Sequence, residues 1–176
     1  MHNTNFNSIY EAHQHLVFNL CLNYLLHQQA AEEASQDIFV KIHAKLGSFE
    51  GKSSLKTWVY RIAVNHCLDI LRQRKRQARM GIFRHLFFGA NENAPDVPHF
   101  DHPGVLLEDR EALENLLRTI NQLPENQKTA LILRYLDDLH PPEIAEIMGT
   151  SLKAVESLLQ RAKSNLEKKL ATTEGN

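Results

Sequence analysis

Apolar residues recur at three- and four-residue intervals along most of this chain, the spacing that builds one buried stripe on a helix. Val17, Leu20, Cys21, Tyr24 and Leu25 share a face of a helix predicted over Ser8–Leu26. Ala34, Ile38, Ile42 and Leu46 follow at intervals of four, predicting a second helix from about Ala31 to Leu46. Its acids Glu32, Glu33 and Asp37 precede Lys41 and Lys45, the order that the helix dipole favours. Gly47 and Gly51 bracket a loop, and Ser53 or Ser54 is placed to cap a third helix. That helix carries Trp58, Ile62, Asn65 and Leu68 and runs on into a basic cluster. No alternation of period two and no βαβ pattern interrupts the helical signal.

Helical periodicity lapses between Phe87 and Gly104, where Pro95, Pro98 and Pro103 predict a linker. It resumes with a helix over Asp109–Ile120. Leu123-Pro124-Glu125 starts another, through Ala130, Leu131, Leu133, Arg134 and Tyr135. Pro141-Pro142-Glu143 opens a short helix ending at Met148, Gly149 closes it, and Thr150 or Ser151 caps a last helix reaching about Leu170. A short helix, a glycine turn and a longer helix form the layout of a DNA-binding helix-turn-helix. Projected at about 100° per residue, the last helix puts Leu152, Val155, Leu159, Ala162 and Leu166 inward. Lys153, Ser157, Gln160, Arg161, Ser164 and Lys168 lie opposite, a face of bases and hydrogen-bonding groups suited to phosphate contact and base-edge readout. The predicted architecture is all-α: two small helical domains, residues 1–84 and 108–176, joined by a flexible acidic linker over 85–107.

Charge sharpens this picture. The net formal charge of the chain is −1, but residues 1–51 carry −3, residues 52–84 carry +8, residues 85–126 carry −6 and residues 127–176 carry zero. The basic stretch holds Lys52, Lys56, Arg61, Arg72, Arg74, Lys75, Arg76, Arg79 and Arg84 against Asp69 as its one acid. Charge concentrated on one element is the footprint of a polyanion-binding surface. The longest apolar runs fall far short of the roughly 20 residues that span a bilayer. The first residues lack the basic and apolar regions of a signal peptide, so a cytoplasmic protein is expected. Cys21 and Cys67 have no CxxC spacing and read as reduced, buried thiols, and the ten histidines are scattered without a metal-binding motif. No paired carboxylates, metal-ligand set, phosphate-cradling glycine loop or activated nucleophile emerges, so neither catalytic activity nor a cofactor or metal is expected.

The string AEEASQDIFVKIHAKLGSFEGKSSLKTWVYRIAVNHCLDILRQRKR resembles conserved region 2 of bacterial RNA polymerase sigma factors, most closely the extracytoplasmic-function (ECF) class. Leu123-Pro-Glu-Asn-Gln-Lys, Glu143-Ile-Ala-Glu-Ile-Met-Gly149 and Val155 through Lys163 resemble sigma region 4. The resemblance implies that the acidic helix docks on the β′ clamp of the polymerase through Gln36, Asp37 and Lys41. It implies that Lys52, Ser53, Ser54, Lys56, Thr57, Trp58, Arg61 and Asn65 capture the unpaired non-template strand of the −10 element. Cations for the backbone, small polar groups and a π surface are what single-stranded DNA requires. Lys153, Ser157, Gln160, Arg161 and Ser164 take −35 recognition by the same resemblance. Glu156 and Leu158 stand where many members carry Lys and Arg. Glu156 would repel phosphate at the edge of this face or accept from a cytosine amine, so the family's −35 preference does not transfer directly.

The implied function is that of a transcription initiation factor without catalytic activity. Its partners would be core RNA polymerase (β′ clamp and β flap), promoter DNA and an anti-sigma protein, with no small-molecule substrate. A stand-alone helix-turn-helix regulator is the rival reading; it accounts for residues 123–170 and leaves Gln36 to Arg79 unused.

Overall fold

A computed structural model describes residues 5–88 and 107–174 of the chain. Within them lie seven α-helices: α1 (Phe6–Leu25), α2 (Gln28–Lys45), α3 (Leu55–Phe88), α4 (Leu107–Asn121), α5 (Glu125–Leu131), α6 (Pro141–Met148) and α7 (Leu152–Glu174). A 3-10 turn over Leu46–Ser48 follows α2, and a π-helical turn over Ile132–Leu136 follows α5. Most of the predicted linker, residues 89–106, lies outside the described residues. The all-α reading is borne out, and α3 continues to Phe88.

Helices α1, α2 and α3 pack as a three-helix unit. Asn5 caps α1 by accepting from the Asn7 amide at 3.2 Å, so the helix starts two residues before the predicted Ser8. Helix α1 ends on Leu26, held in the left-handed region at φ +55, and His27 caps α2 through its ring nitrogen at 3.3 Å. The chain therefore reverses within two residues, and α2 begins at Gln28 rather than at Ala31. Val17, Leu20, Cys21, Tyr24 and Leu25 are all buried, as the α1 spacing requires. Ala34, Ile38 and Ile42 from α2 meet them, with Val59, Ala63 and Cys67 from α3. Cys21 and Cys67 are free and fully buried, and their sulfurs lie 3.7 Å apart. The hydrogen bond from Cys67, followed by burial, pushes the Cys21 thiol far up. That keeps it protonated and unreactive.

The C-terminal module packs α5, α6 and α4 on α7. Val155 and Ala162 of α7 are fully buried, and Leu159 and Leu166 pack against the core. Leu152 departs from the predicted inner stripe: it lies in the first turn of α7 and is 44% exposed. Ser151 is the α7 cap, accepting from the Ala154 amide at 3.2 Å. Gly149 takes φ +62, and the Thr150 amide bonds the Ala145 carbonyl at 3.0 Å, closing α6 with the left-handed glycine that such a tight turn demands.

The two modules are not separate bodies; their buried residues form one continuous cluster. The Tyr24 hydroxyl donates to Thr129 Oγ1 at 3.0 Å across the join, and Lys128 stands over the Tyr24 ring at 5.5 Å. Asn121 donates to the Asn23 carbonyl at 3.3 Å. Tyr24→Phe strands the buried Thr129 hydroxyl and is expected to cost about 1–2 kcal/mol. In a chain of this size that is a fall of roughly 2–8 °C in melting temperature. Adding Thr129→Val removes the stranded group, so the double variant should recover most of the loss in a thermal melt.

Candidate nucleic-acid interface

The helix-turn-helix is α6 and α7. Pro141 and Pro142 open α6, and Glu143 returns a carboxylate to the His140 amide at 2.8 Å, satisfying a donor that prolines leave exposed. This short helix buries Ile144, Ala145 and Ile147. It thereby sets the pitch of α7, whose opposite face is open. Lys153, Ser157, Gln160, Arg161 and Ser164 are all exposed on that face. Arg161 Nε donates to the Ser157 carbonyl at 3.2 Å, which lays its guanidinium along the helix. Glu156 is also exposed at the edge of this face, and Leu158 is half-buried.

The second surface is the start of α3. Ser54 caps the helix, its hydroxyl accepting from the Thr57 amide at 3.0 Å and lying 2.8 Å from the Thr57 hydroxyl. Gly51 takes φ +69 in the loop just before it. Lys52 is exposed and pairs with Glu50, and Ser53 is half-buried. Trp58 is half-buried, its ring 5.1 Å from that of Phe49 at 47°. The Trp58 ring also packs against the core. Lys56 is exposed and reaches within 5.9 Å of the Tyr60 ring, while Asn65 is exposed further along the helix. Further along α3, Asp69, Arg72, Gln73, Lys75, Arg76 and Arg79 line an open groove.

Two residues of this set are already engaged. Thr57 is 6% exposed and donates to Glu146 Oε2 at 3.3 Å. Arg61 donates to the Glu146 main-chain carbonyl from Nε, at 2.9 Å, and from Nη2. Glu146 lies in the last turn of α6, so Arg61 places a cation on the negative end of that helix.

The third surface is α2. Gln36, Asp37 and Lys41 are exposed, and Val40 between them is 69% exposed, an apolar side chain presented among polar ones. Lys41 Nζ lies 2.6 Å from His66 Nδ1, and His66 Nε2 lies 3.6 Å from Asp37 Oδ2. His66 belongs to α3 and is nearly buried, so one imidazole ties two polar positions of α2 to the third helix.

The sequence matches the Sigma-70 region 2 family over residues 9–77 and the Sigma-70 region 4 family over residues 113–166. It is 31% identical over 165 residues to the ECF RNA polymerase sigma-E factor of Escherichia coli, covering 94% of this chain and 86% of that one. The chain belongs to the ECF RNA polymerase sigma factors. It is also 28% identical over 169 residues to the ECF RNA polymerase sigma factor SigW of Bacillus subtilis, covering 94% and 88% of the two chains. Two solved structures share the fold. One is the sigma factor RpoE from Bartonella quintana, in a co-crystal with the anti-sigma factor NepR (23% identity, TM-score 0.68, 94% of this chain and 96% of that one). The other is CnrH, in complex with the cytosolic domain of CnrY (20% identity, TM-score 0.67, 95% and 88%).

As a sigma factor the chain directs core RNA polymerase to promoters, with region 2 matched over residues 9–77 and region 4 over residues 113–166. No helix among the described residues is long and apolar enough to cross a membrane. The sequence reading did not foresee Val40, His66 or Asp137. Val40 is a β-branched apolar residue out of phase with the Ala34–Ile38–Ile42 stripe, a mismatch visible in the spacing itself. The other two depend on contacts between distant segments.

His66 and Asp137 titrate in opposite senses. Burial, then the Lys41 ammonium, lowers the His66 pKa, while Asp37 and Asp69 pull the other way. Its folded pKa thus lies below the unfolded value of about 6.5. The stability this depression represents is complete above that value and is lost as pH falls through the folded pKa. His66→Gln should flatten the decline in melting temperature between pH 7 and pH 5; parallel declines in the two proteins would contradict the assignment. Asp137 follows the π-helical turn with Oδ2 buried and without a hydrogen-bond partner, and burial raises its pKa to about 7 against the pull of Lys56. Being raised, it favours the fold at acid pH and loses that contribution as pH climbs through about 7. Asp137→Asn should therefore gain melting temperature relative to the parent at pH 8 and show little gain at pH 5.

Proposed function

We propose that this sigma factor divides promoter recognition among three surfaces and carries no catalytic activity of its own. Helix α2 docks on the β′ clamp of core RNA polymerase through Gln36, Asp37 and Lys41, with Val40 as the apolar contact among them. The loop and first turns of α3 capture the unpaired −10 strand. Lys52 and Lys56 neutralise phosphates, Ser53 and Ser54 offer hydrogen bonds, and the Phe49–Trp58 pair provides a stacking surface; Thr57, Arg61 and Asn65 extend the same tract. Helix α7 enters the major groove at the −35 element with Lys153, Ser157, Gln160, Arg161 and Ser164. The remaining partners are the β flap on region 4 and an anti-sigma protein of the kind seen with RpoE. The protein works in the cytoplasm.

The observation that carries this reading is the aromatic pair at a serine-capped, cation-flanked helix start: Phe49 and Trp58 at 5.1 Å, beside the exposed Lys52 and Lys56. A hydrophobic core has no use for two cations at its mouth, whereas a single strand needs both charge and a ring.

Run-off transcription tests it, with purified core polymerase, this protein and promoter-containing fragments of its own genome. Discrete transcripts should require the protein. Trp58→Ala should weaken strand capture by about 1–3 kcal/mol. Lys56→Ala should reduce the salt dependence of binding by close to one phosphate contact. Arg161→Ala should reduce initiation where duplex −35 contact is limiting and spare binding to core. Absence of both transcripts and core binding would overturn the proposal.

A further inference from the structure

An acid and a lysine four residues further along one helix ordinarily pair with each other. Asp37 and Lys41 of α2 have that spacing, yet both turn to His66 of α3 instead. The Lys41 ammonium stands 2.6 Å from His66 Nδ1, and the Asp37 carboxylate 3.6 Å from Nε2. An ammonium only donates, so Nδ1 accepts, and the imidazole is neutral with its proton on Nε2. That N–H is buried without a hydrogen-bond partner. The carboxylate in front of it stops just short, and the Asp37 side chain stays 67% exposed. His66 itself is nearly buried, so the tie is anchored inside the three-helix unit and not laid over its surface.

Without the imidazole, Asp37 and Lys41 are free to neutralise each other across one turn of α2. Positions 37, 40 and 41 share one stripe of that helix, so such a pair would close beside the exposed Val40. We propose that His66 is the positioning residue of this docking face: in its neutral form it fixes the Lys41 ammonium and leaves the Asp37 carboxylate outward, so that the two meet core polymerase as separate charges, and in its protonated form it releases the lysine and draws the acid in. This rests on the reading of α2 as the polymerase-binding helix given above.

The switch follows from the ring. A proton from solvent lands on Nδ1, which holds the only free lone pair. Lys41 then faces a donor of like charge. Nε2–H becomes a charge-assisted donor, and a carboxylate shift of under about 1 Å completes its bond to Asp37. One proton thus moves two groups of the docking face. Three charged groups act on the ring: Lys41 and Asp37 from α2 and Asp69 from α3 itself, with none from the described residues of α1. Burial, then Lys41, outweighs the two acids. The neutral form therefore holds at pH 7 and yields only as pH falls below the ordinary histidine value of about 6.5. Polymerase that engages the outward Asp37 carboxylate opposes proton uptake by His66. By linkage, affinity for core falls as pH falls.

Binding of the full chain to purified core polymerase tests this at pH 7.5 and pH 5.0, with His66→Gln, His66→Leu, Asp37→Ala and Lys41→Ala beside the parent. Comparison at equal pH cancels the response of the polymerase itself. At pH 7.5 His66→Leu should bind about threefold or more weakly than the parent, since Asp37 and Lys41 can then pair. His66→Gln offers the same two groups an acceptor and a donor without a titrating proton, and should recover most of that loss. Between pH 7.5 and pH 5.0 the parent should lose about threefold or more relative to His66→Gln. Nitrogen NMR of histidine-labelled protein, with His66 assigned by its absence from His66→Gln, should show the Nε2–H tautomer at pH 7.5. A thermal melt reports the fold of each variant; if His66→Leu does not fold, the His66→Gln comparison decides alone. Parent-like binding by folded His66→Leu, a parent-to-His66→Gln ratio that does not change with pH, or the Nδ1–H tautomer would overturn the role of His66 while Asp37→Ala and Lys41→Ala still weaken binding. Undiminished binding by both alanine variants would overturn the docking reading of α2 and this inference with it.

Discussion

Helix α3 has to bury two faces, and the rest of the structure follows from how each is covered. Val59, Ala63, His66 and Cys67 lie on the side that α1 and α2 occupy. Tyr60, Val64 and Leu68 are buried on another side, the one from which Thr57 and Arg61 reach Glu146 of α6. A helix with apolar groups on both sides cannot rest on a three-helix unit and leave the other flank in water without exposing a large patch. The position of region 4 answers that constraint, and Tyr24 with Thr129 shows how closely it is answered. A phenol buried beyond its own module has found a hydroxyl on the other at 3.0 Å. Such a partner is required, because a polar group buried without one costs more than most contacts return.

The same demand explains the charged groups at the join. Lys128 is 4% exposed, and burial lowers its pKa, yet it stands over the Tyr24 ring and near Glu125, so its charge is not abandoned. Arg61 sits at the carbonyl end of α6, where a cation is favoured and where Gly149 has already turned the chain away. Asp137 is the exception, with one oxygen enclosed and unpaired. The π-helical turn that ends α5 aims it inward, since Asp137 closes that turn through its amide on the Ile132 carbonyl at 3.2 Å. Widened turns of this kind recur at functional positions.

What could be read from the chain alone divides along the range of the interactions. Helix identity, a cap at Ser53 or Ser54 and another at Thr150 or Ser151, the Gly149 turn and the inward stripe of α1 depend on residues within a few positions of each other, and all were legible; the structure selects Ser54 and Ser151. The solvent face of α7 was legible for the same reason; Leu152 was misplaced because burial in the first turn of a helix depends on what lies beyond its end. The roles of Thr57 and Arg61 could be suspected from the motif, but not their occupation by Glu146, 85 or more residues away. Sequence spacing carries no record of such distances. The charge map came nearest to doing so: a +8 segment beside segments of −6 and −3 in a chain of net −1 invites internal pairing. Arg72 with Glu125 is one instance of it.

That internal pairing also bears on how one chain serves both DNA and polymerase. A helix as basic as α3 attracts any polyanion, and attraction of that kind is strong at low salt and indifferent to sequence. Acids on a neighbouring module lower it without removing a single cation, as Glu125 does at Arg72. An exposed ion pair and a helix-end contact contribute little each, so the buried seam that includes Tyr60, Val64, Leu68 and the Tyr24–Thr129 bond holds the two modules together. Specificity gained by disfavouring the wrong partner, rather than by tightening on the right one, is available to any chain that carries opposite charges on two modules.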